Sequence, residues 1–247
     1  MIGLTTAAII QARMGSTRLP GKVMKKILGK TILEHVVTRV KQSNQIDEIV
    51  IATTNKAEDD PIAIEADRLQ VNYYRGSEHD VLSRYYFSAK ENDADIIVRI
   101  TSDCPLIDPV ITDQIIGFYK TKNYDIVSNA GAEPSQRTYP RGLDTEVFSF
   151  EQLENAFNNA TERYQKEHVT PFIYENSDKV YFYKNYIDYS KFRWTLDTIE
   201  DFELITKVYE YLYHGEHNFY LDDIIRLFEV HPDLMKINAE IEQKKIK

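Results

Sequence analysis

Residues 12–22, with the sequence ARMGSTRLPGK, have the composition of a phosphate-binding loop. They follow a short apolar run, and their polar members include three cations and two small residues: Arg13, Gly15, Ser16, Arg18 and Lys22. Small residues where a strand meets a helix expose backbone N–H groups that bind anions, and an arginine can hold two phosphate oxygens at once. The loop is therefore predicted to bind phosphate. The alternative is a solvated basic loop that packs only locally.

Two known phosphate-binding patterns do not fit this loop. Five residues separate Gly15 from Gly21, whereas a Walker A loop has four, and Val23 follows Lys22 where that loop has Ser or Thr. The GxGxxG pattern of dinucleotide-binding folds is also absent. The prediction therefore depends on the chemistry of the loop residues and on their position after a strand.

Positive charge is concentrated around the loop. The first 41 residues carry a net charge of +7 in a chain whose net charge is −9, which leaves −16 for residues 42–247. An acidic protein repels nucleic acid, so a nucleic-acid partner is not expected. A positive region confined to one end of the sequence favours a small, highly charged anion.

Composition indicates a cytoplasmic protein without a membrane partner. The 247 residues suit one domain, and 43% hydrophobic with 28% charged residues is ordinary for a soluble globular protein. No apolar run reaches the roughly 18–20 residues of a membrane span, and the first residues lack the charged region of a secretory signal. Cys104 is the one cysteine, which excludes an intrachain disulfide and a cysteine-based zinc site.

Buried strands alternate with helices over the first 130 residues. Strands are predicted at 5–11, 47–54, 72–77, 94–103 and 124–129, and helices at 31–42, 59–69, 79–92 and 108–120. This alternation is typical of an α/β fold with a mostly parallel sheet and helices on both faces. Ligands of such folds bind beyond the carboxyl ends of the strands. Loops 12–22, 53–60 and 101–109 are therefore predicted to line one crevice.

The pattern changes after residue 130. The sequence predicts a loop, a strand at 143–148, helical structure at 150–176 and a half-exposed strand at 179–186. We interpret residues 130–190 as an inserted lobe on the main sheet. A strand at 192–198 is predicted to return to the crevice, with helices at 199–213 and 220–230 after it. No internal repeat or linker divides the chain, so a single domain over residues 1–247 is expected.

Two aspartates lie at predicted strand ends, where they can hold a metal ion. Asp103 follows the buried strand, and Asp197 lies near the end of the strand at 192–198. Proteins bind Mg²⁺ through one or two carboxylates, with phosphate and water oxygens as the other ligands. An aspartate before a proline or a helix is also common as a turn or cap residue. Spacing alone leaves both roles open.

Six segments, taken in order, resemble those of a known enzyme family: ARMGSTRLPGK, RGSEHDVLSRY, TSDCPLIDP, YPRGLDTEVFS, EHVTPFI and LDTIEDF. Over residues 7–205 the chain is similar to the cytidylyltransferases that act on sugar acids, the CMP-sialic acid and CMP-Kdo synthetase group. It most resembles the cytidylyltransferase-like proteins of spore-coat polysaccharide biosynthesis. The resemblance implies a Rossmann-like, GT-A-like three-layer sandwich. It also implies transfer of CMP from CTP to a sugar or sugar-acid-like acceptor, with release of pyrophosphate, in polysaccharide or glycan biosynthesis.

The resemblance assigns roles to individual residues. It implies that Arg18, Lys22 and Asp103 are catalytic, that Asp103 and Asp197 hold Mg²⁺, and that the nucleotide contacts Gln11, Ala12, Arg13, Gly15, Ser16, Arg75 and Thr101. Two features depart from the family pattern. CMP-sialic acid synthetases have two aspartates in the segment where this chain has Thr195 and Asp197. Thr101 stands where the sugar-acid enzymes place a glutamine that helps to read cytosine.

On the acceptor side, the resemblance implies contacts from four residues of the lobe: Arg141, Asp144, Glu146 and His168. Alternation along the strand predicted at 143–148 favours another interpretation, in which Asp144 and Glu146 face solvent. The alternative for His168 is a structural role. The lobe is also rich in aromatic residues, which predicts a two-fold homodimer formed through it. The alternative is that these rings pack the lobe onto the main sheet.

Two other functions remain open from the sequence. A glycosyltransferase shares the sheet-plus-metal architecture but uses a nucleotide-sugar that has already been made. A non-catalytic nucleotide-binding partner of a polysaccharide pathway has the same need for a phosphate-binding loop. Unlike the cytidylyltransferase, the glycosyltransferase does not use free CTP, and the nucleotide-binding partner binds CTP without turnover.

Overall fold

The computed structural model describes residues 3–131 and 133–242. Strands in these ranges form one large sheet and a small hairpin: β1 Thr6–Gln11, β2 Lys26–Ile27, β3 Lys30–Thr31, β4 Glu48–Thr54, β5 Asn72–Gly76, β6 Ile96–Thr101, β7 Ile126–Ser128, β8 Glu146–Ser149 and β9 Val180–Phe182. Residues 1–2, 132 and 243–247, which belong to the predicted domain and lobe, lie outside the described residues.

Helices cover both faces of the large sheet: α1 Ile32–Val40, α2 Asp60–Leu69, α3 Val81–Glu91, α4 Pro109–Thr121, α5 Phe150–Asn159, α6 Arg163–His168, α7 Pro171–Asn176, α8 Ile199–Leu212 and α9 Leu221–Val230. The predicted helices are confirmed, and the helical stretch at 150–176 is divided into three short ones. Side-chain caps explain two of the starts, since Thr31 accepts from an N–H of α1 and Asp108 from two of α4. Across the described ranges, the helices are too short or too polar to cross a membrane.

The large sheet has the strand order β5-β4-β1-β6-β8-β7-β9. Every neighbouring pair is parallel except the two pairs that β8 makes, so the predicted mostly parallel α/β fold is confirmed. β1 lies between β4 and β6, and Gln11 at its end pairs with Ala52 and Thr101. The loops that follow these three strands therefore meet at one edge of the sheet.

The segment predicted as a lobe is interleaved with the large sheet. β8, which was expected in the lobe at 143–148, lies between β6 and β7, and β9 forms an edge of the same sheet. Val147 packs in the core on one face and Phe148 in the core on the other, and both are fully buried. A strand that is buried on both faces belongs inside a sheet. Helices α5 and α6 complete the segment by packing against α3.

Many of the aromatic rings that predicted a dimer interface pack within the chain. Phe150 and Phe157 stack on Tyr86, with ring centroids 5.6 and 4.1 Å apart. Tyr181 contacts Phe118 at a centroid distance of 4.6 Å. These contacts correspond to the alternative arrangement, in which the rings hold the segment on the main sheet. The homodimer stays a prediction, because contacts within the chain account for part of the aromatic residues that suggested it.

Residues 192–198 are extended, but the predicted strand is wrong. Arg193 forms a single β-bridge with Arg141. Further along the segment, the Leu196 N–H donates a hydrogen bond to Asp103 O at 2.8 Å. Because the segment passes from one partner loop to another, no continuous ladder forms. The segment nevertheless ends at the crevice, where Asp197 was expected.

Candidate active site

Lys22 joins the two aspartates that were predicted to bind metal. Its Nζ donates to Asp103 Oδ2 and Asp197 Oδ1, both at 2.9 Å, and to Leu196 O at 2.8 Å. Only 12% of the lysine side chain is exposed. The three contacts connect loop 12–22 with the loop after β6 and with the segment before α8, so the predicted crevice contains all three elements.

The opposite charges of this group keep one another ionised. Burial by itself lowers the pKa of Lys22, but the carboxylates of Asp103 and Asp197 outweigh burial and raise that pKa above its ordinary value. Burial raises the pKa of Asp103, but the ammonium of Lys22 and a hydrogen bond from Thr101 outweigh it and lower that pKa. Lys22 and Asp103 are therefore both charged at neutral pH.

Asp197 contacts three cations. Its Oδ1 accepts from Lys22, while its Oδ2 lies 3.0 Å from Arg18 Nη2 and 2.9 Å from Arg193 Nη2. Arg18 is the most exposed of these cations, with 37% of its side chain accessible, and Arg193 is largely enclosed. Arg18 is consequently the cation of this group that a ligand entering from solvent meets first.

Asp201 supports this arrangement from beneath. It is fully buried, and both of its oxygens accept from Arg193, at 3.0 and 2.9 Å. It also accepts from the backbone N–H groups of Asp197 and Thr198. Sequence reasoning missed both Arg193 and Asp201. The signal was the T-x-x-D pattern at 198–201, a capping box at the start of α8.

The donor set fits the predicted Mg²⁺. One oxygen of Asp103 and one of Asp197 converge on a single point, because both lie 2.9 Å from Lys22 Nζ. Among residues 3–131 and 133–242, no group of three or more His, Cys, Asp or Glu side chains is arranged to hold a metal. A pair of carboxylates is the donor set that Mg²⁺ commonly uses with nucleotides, whose phosphate oxygens and waters are the other ligands.

The backbone of loop 12–22 is folded around Met14. Met14 O accepts from the N–H groups of Ser16 and Gly21, at 2.8 and 2.9 Å. Gly21 has a φ of 64°, in the left-handed region that favours glycine. Buried Asp59, from the loop after β4, accepts from the Met14 N–H at 2.6 Å. The Ser16 N–H is thus engaged inside the loop, which presents the cationic side chains of Arg13, Arg18 and Lys22.

Acidic side chains flank the first half of the loop. Arg13 Nη1 lies 3.7 Å from Glu78 Oε1. Gly15 faces two carboxylates, since a Cβ at that position would lie 3.6 Å from Glu58 and 3.7 Å from Glu78. All three loop cations therefore have carboxylate partners: Arg13, Arg18 and Lys22.

Arg75 holds the loop after β4. Its Nε and Nη2 donate to the carbonyl oxygens of Thr54 and Lys56, at 2.9 and 2.7 Å. Its Nη1 pairs with Asp60 at 2.7 Å. The guanidinium, which was expected to contact the nucleotide, is directed in this structure to protein groups next to the crevice.

Gln11, Ala12 and Thr101 lie at the carboxyl ends of β1 and β6. Thr101 Oγ1 donates to Asp103 Oδ1 at 2.5 Å and so orients that carboxylate. Ala12 is buried, and its N–H donates to Ala52 O at 3.1 Å. Gln11 Oε1 is a buried acceptor without a hydrogen-bond partner in the described part of the chain. The three residues therefore border the carboxylates on the side of the strand ends.

Arg141 and Asp144 lie beside the crevice. Gly142 between them has a φ of 100°, and a Cβ there would lie 2.5–2.7 Å from the backbone of residues 194–195, so only glycine allows this close approach. Asp144 pairs with buried Arg137 at 2.5 Å, a residue that was not among the predicted ones. Burial lowers the pKa of Arg141, and the nearby charge of Arg137 lowers it further.

The structure corrects the prediction for Glu146. This residue is buried on β8, forms an ion pair with Arg99 on β6, and accepts from Tyr174 Oη at 2.7 Å and Thr170 Oγ1 at 3.0 Å. Both oxygens of the Glu146 carboxylate thus have partners inside the protein, as a buried carboxylate requires. Glu146 therefore belongs to an internal network and not to an acceptor surface, and the alternative of a solvent-facing Glu146 is also wrong.

His168 lies at the end of α6, where the chain makes a tight turn. The Thr170 N–H donates to His168 O at 2.9 Å. Val169 between them is fully buried, with φ 72° and ψ −59°, which is a strained γ-turn geometry for a β-branched residue. His168 itself is half-buried, and its contact with an acceptor stays a prediction.

Known proteins of one family match almost the whole chain. The family model described as Cytidylyltransferase matches residues 7–246. The chain belongs to the cytidylyltransferase family. It is 34% identical over 213 residues to the spore coat polysaccharide biosynthesis protein SpsF of Bacillus subtilis, which covers 82% of this chain and 85% of that protein. The family expected from the six sequence segments is confirmed.

Solved structures show the same cytidylyltransferase fold. A cytidylyltransferase from Leptospira borgpetersenii serovar Hardjo-bovis is 34% identical, with a TM-score of 0.88 over 99% of this chain and 100% of that chain. A CMP:2-keto-3-deoxy-manno-octonic acid synthetase complexed with CTP is 16% identical, with a TM-score of 0.65 over 83% of this chain and 98% of that chain. The second likeness shows the fold alone. The predicted nucleotidyltransferase-type sandwich is confirmed.

The predicted site residues of this cytidylyltransferase-family chain fall into two sets. One set meets around the crevice: Arg18, Lys22, Thr101, Asp103 and Asp197. The other set lies outside this cluster: Arg75 is engaged with the loop after β4, next to the crevice, and Glu146 with Arg99 inside the sheet.

Proposed function

We propose that this chain is a Mg²⁺-dependent cytidylyltransferase, which transfers CMP from CTP to a sugar or sugar-acid-like acceptor and releases pyrophosphate. The observation that carries the proposal is the meeting of cations and carboxylates at the carboxyl edge of the sheet: Arg18, Lys22, Arg193, Asp103 and Asp197. Such a set can receive a polyphosphate together with a divalent cation. Membership of the family and the likeness to a spore coat polysaccharide protein support a role in glycan biosynthesis.

The proposed reaction joins an acceptor oxygen to the α-phosphorus of CTP and breaks the bond from that phosphorus to pyrophosphate. Arg18 and Lys22 would exchange their carboxylate partners for phosphate oxygens and stabilise the charge that develops on them. Asp103 and Asp197 would hold Mg²⁺, which neutralises phosphate charge when bound. The earlier residues of the loop would contact the rest of the triphosphate: Arg13, Gly15 and Ser16.

The nucleoside end of CTP would lie over the strand ends. Gln11, Ala12 and Thr101 border the carboxylates there, and Arg75 would reach the nucleotide only after leaving Asp60. Cytosine specificity is supported by the family and by a fold neighbour solved in complex with CTP.

The acceptor would lie on the other side of the carboxylates. Arg141 and Arg137 supply positive charge beside Asp144, a combination that suits an acceptor with a carboxylate and hydroxyl groups. His168 is proposed as an additional contact. Glu146 is not, because the internal network engages it.

Pyrophosphate release tests the proposed reaction. It is measured with each of the four nucleoside triphosphates, a panel of sugars and sugar acids, and Mg²⁺. We expect release with CTP and an acceptor, and its loss when EDTA removes the metal. Release with no nucleotide under any acceptor contradicts the proposal. CTP binding without turnover indicates a non-catalytic nucleotide-binding protein, and hydrolysis of a nucleotide-sugar without use of free CTP indicates a glycosyltransferase.

We also propose a two-fold homodimer, on the basis of the resemblance to sugar-acid cytidylyltransferases that pair through the segment after the fourth strand. Light scattering at micromolar protein concentration measures the mass directly. A dimer mass is expected, and a monomer mass contradicts the proposal.

A further inference from the structure

We propose that Lys22 is an internal cation which occupies the meeting point of Asp103 and Asp197, so that a divalent cation enters this site only together with a nucleotide. The inference rests on the proposed function, because it describes how the same site is loaded. It concerns the order of binding, and it assigns to Lys22 a task in the nucleotide-free protein besides its proposed contact with phosphate.

The hydrogen bonds of the Lys22 ammonium are complete. A lysine ammonium has three N–H donors, and Lys22 Nζ has three acceptors at 2.8–2.9 Å: Asp103 Oδ2, Asp197 Oδ1 and Leu196 O. The side chain is largely enclosed. This differs from an exposed surface ion pair, whose two side chains sample many geometries and stabilise little. Lys22 is therefore held between the carboxylates by a full set of directed contacts.

The remaining carboxylate oxygens have partners as well. Asp103 Oδ1 accepts from Thr101, and Asp197 Oδ2 contacts Arg18 and Arg193. Mg²⁺ binds carboxylate oxygens at about 2.0–2.1 Å. Lys22 Nζ already contacts the two oxygens that converge, Asp103 Oδ2 and Asp197 Oδ1. The ion and the ammonium cannot use this point together, because they would be in contact and both are positive.

Charge balance indicates what releases Lys22. In the described structure three cations meet three carboxylates here: Lys22, Arg18 and Arg193 against Asp103, Asp197 and Asp201. A divalent cation alone would leave this balanced group with a surplus of positive charge. A nucleotide brings the missing negative charge, and its phosphate oxygens offer acceptors to Lys22 and Arg18. The flexible stem of lysine allows the ammonium to move to them.

The test measures Mn²⁺ binding to the full chain without nucleotide, by the electron paramagnetic resonance signal of the unbound ion. We expect weak binding by the wild type and at least tenfold tighter binding by Lys22→Met, which keeps the length of the side chain and removes its charge. Lys25→Met is the matched control, because Lys25 lies at the end of the same 3-10 turn and its ammonium lies over the ring of Phe202. It should bind Mn²⁺ like the wild type.

Two further variants make the interpretation specific. Lys22→Met combined with Asp103→Asn should lose the gain, because one of the two carboxylates is then missing. Lys22→Arg keeps a cation and should bind Mn²⁺ as weakly as the wild type. Circular dichroism checks that each variant is folded. If Lys22→Met does not fold, the wild type and Lys22→Arg still decide, since tight Mn²⁺ binding by either one without nucleotide overturns the proposal.

Equal Mn²⁺ affinity of the wild type and a folded Lys22→Met overturns the inference, as does a gain that persists in the double variant. These outcomes are distinct from failure of the proposed function. Pyrophosphate release with unchanged metal affinity in Lys22→Met would refute the binding order and leave the reaction in place. Tighter Mn²⁺ binding by Lys22→Met, with no pyrophosphate release by the wild type under any acceptor, would support the role of Lys22 and refute the transfer reaction.

Discussion

Arg99 and Asp103 are only four residues apart, yet their ion pairs belong to different kinds of cluster. Arg99 pairs with Glu146 inside the sheet, and Tyr174 and Thr170 complete the enclosure. Asp103 pairs with Lys22, a residue on a loop, and a quarter of the Asp103 side chain is exposed. The carboxylate of the first pair is enclosed, with 5% of the Glu146 side chain exposed, whereas the carboxylate of the second is open to solvent on one side. Solvent access to the carboxylate therefore distinguishes the crevice cluster from the internal network, although both consist of opposite charges.

The internal network gives the largest expected effect on stability. Glu146→Ala leaves Arg99 buried without its carboxylate, and breaking a buried pair in this way costs about 3–5 kcal/mol of unfolding free energy. Urea unfolding measures the loss. Glu151→Ala, at an exposed position of α5, is the control and should stay within about 0.5 kcal/mol of the wild type. A loss below about 1 kcal/mol for Glu146→Ala would place this pair with the exchangeable ones.

The crevice cluster should respond in activity instead. Asp103→Asn removes the charge that faces Lys22, and Arg18→Ala removes a phosphate contact. We expect each to lower kcat/KM for pyrophosphate release by about 10²-fold or more, because such groups act on charge in the transition state. Each variant should keep its fold, which circular dichroism checks. Lys25→Ala is the control. Normal turnover, or an unchanged Mg²⁺ titration in Asp103→Asn, would refute these assignments.

The buried histidines His35 and His217 extend the comparison with the two ion-paired clusters, because they are polar but neutral. His35 Nδ1 lies 2.8 Å from His217 Nε2, and His35 Nε2 lies 3.0 Å from Ile27 O. Burial lowers the pKa of His35 to about 4, and burial together with the charge on His35 lowers that of His217 to about 3. Other ionisable groups facing the pair are Lys30, Glu34, Arg39, Tyr209 and Tyr213.

Acid should therefore destabilise the fold through these histidines. In the unfolded chain they bind protons below about pH 6.5, whereas the native pair stays neutral down to about pH 4. Stability is thus fully present above about pH 6.5 and is lost as the pH falls towards 4. We expect a loss of roughly 3–4 kcal/mol between pH 7 and pH 5, about 2 kcal/mol for each histidine, measured by urea unfolding. His79→Gln, at an exposed position, should show the same dependence, and a flat profile in the wild type would contradict the prediction.

The smallest expected effect concerns the orientation of Asp103. Thr101→Val keeps the shape of the side chain and removes the hydrogen bond to Asp103 Oδ1. A hydrogen bond to a charged group contributes about 1.5–3 kcal/mol, and part of this is recovered from water, so kcat/KM should fall by about tenfold. Thr121→Val, at the exposed end of α4, is the control. A loss as large as that of Asp103→Asn would show a direct contact of Thr101 with substrate, and an unchanged kcat/KM would refute its orienting role.

Local patterns predicted the elements of the sheet well. β1, β4 and β6 are short, nearly continuous apolar runs, and the structure buries their central residues fully. Because parallel strands end at one edge, the crevice between their loops followed from the order of the elements. The β2–β3 hairpin was not predicted, since strands of two residues are too short for a periodic pattern. The strand at 192–198 was predicted wrongly. Its buried apolar residues give it the sequence pattern of a strand, but its backbone hydrogen bonds go to different loops.

The sequence by itself determined the cations of loop 12–22, the aspartates at the crevice and the family to which the chain belongs. These depend on residue types within short segments and on the edge at which parallel strands end. Only the tertiary structure decided the partners. Lys22 meets Asp197 across 175 positions of sequence, and Arg99 meets Glu146 across 47. Such pairs form because β8 is inserted beside β6 and because residues 193–197 cross the end of the sheet, and no local pattern specifies either arrangement.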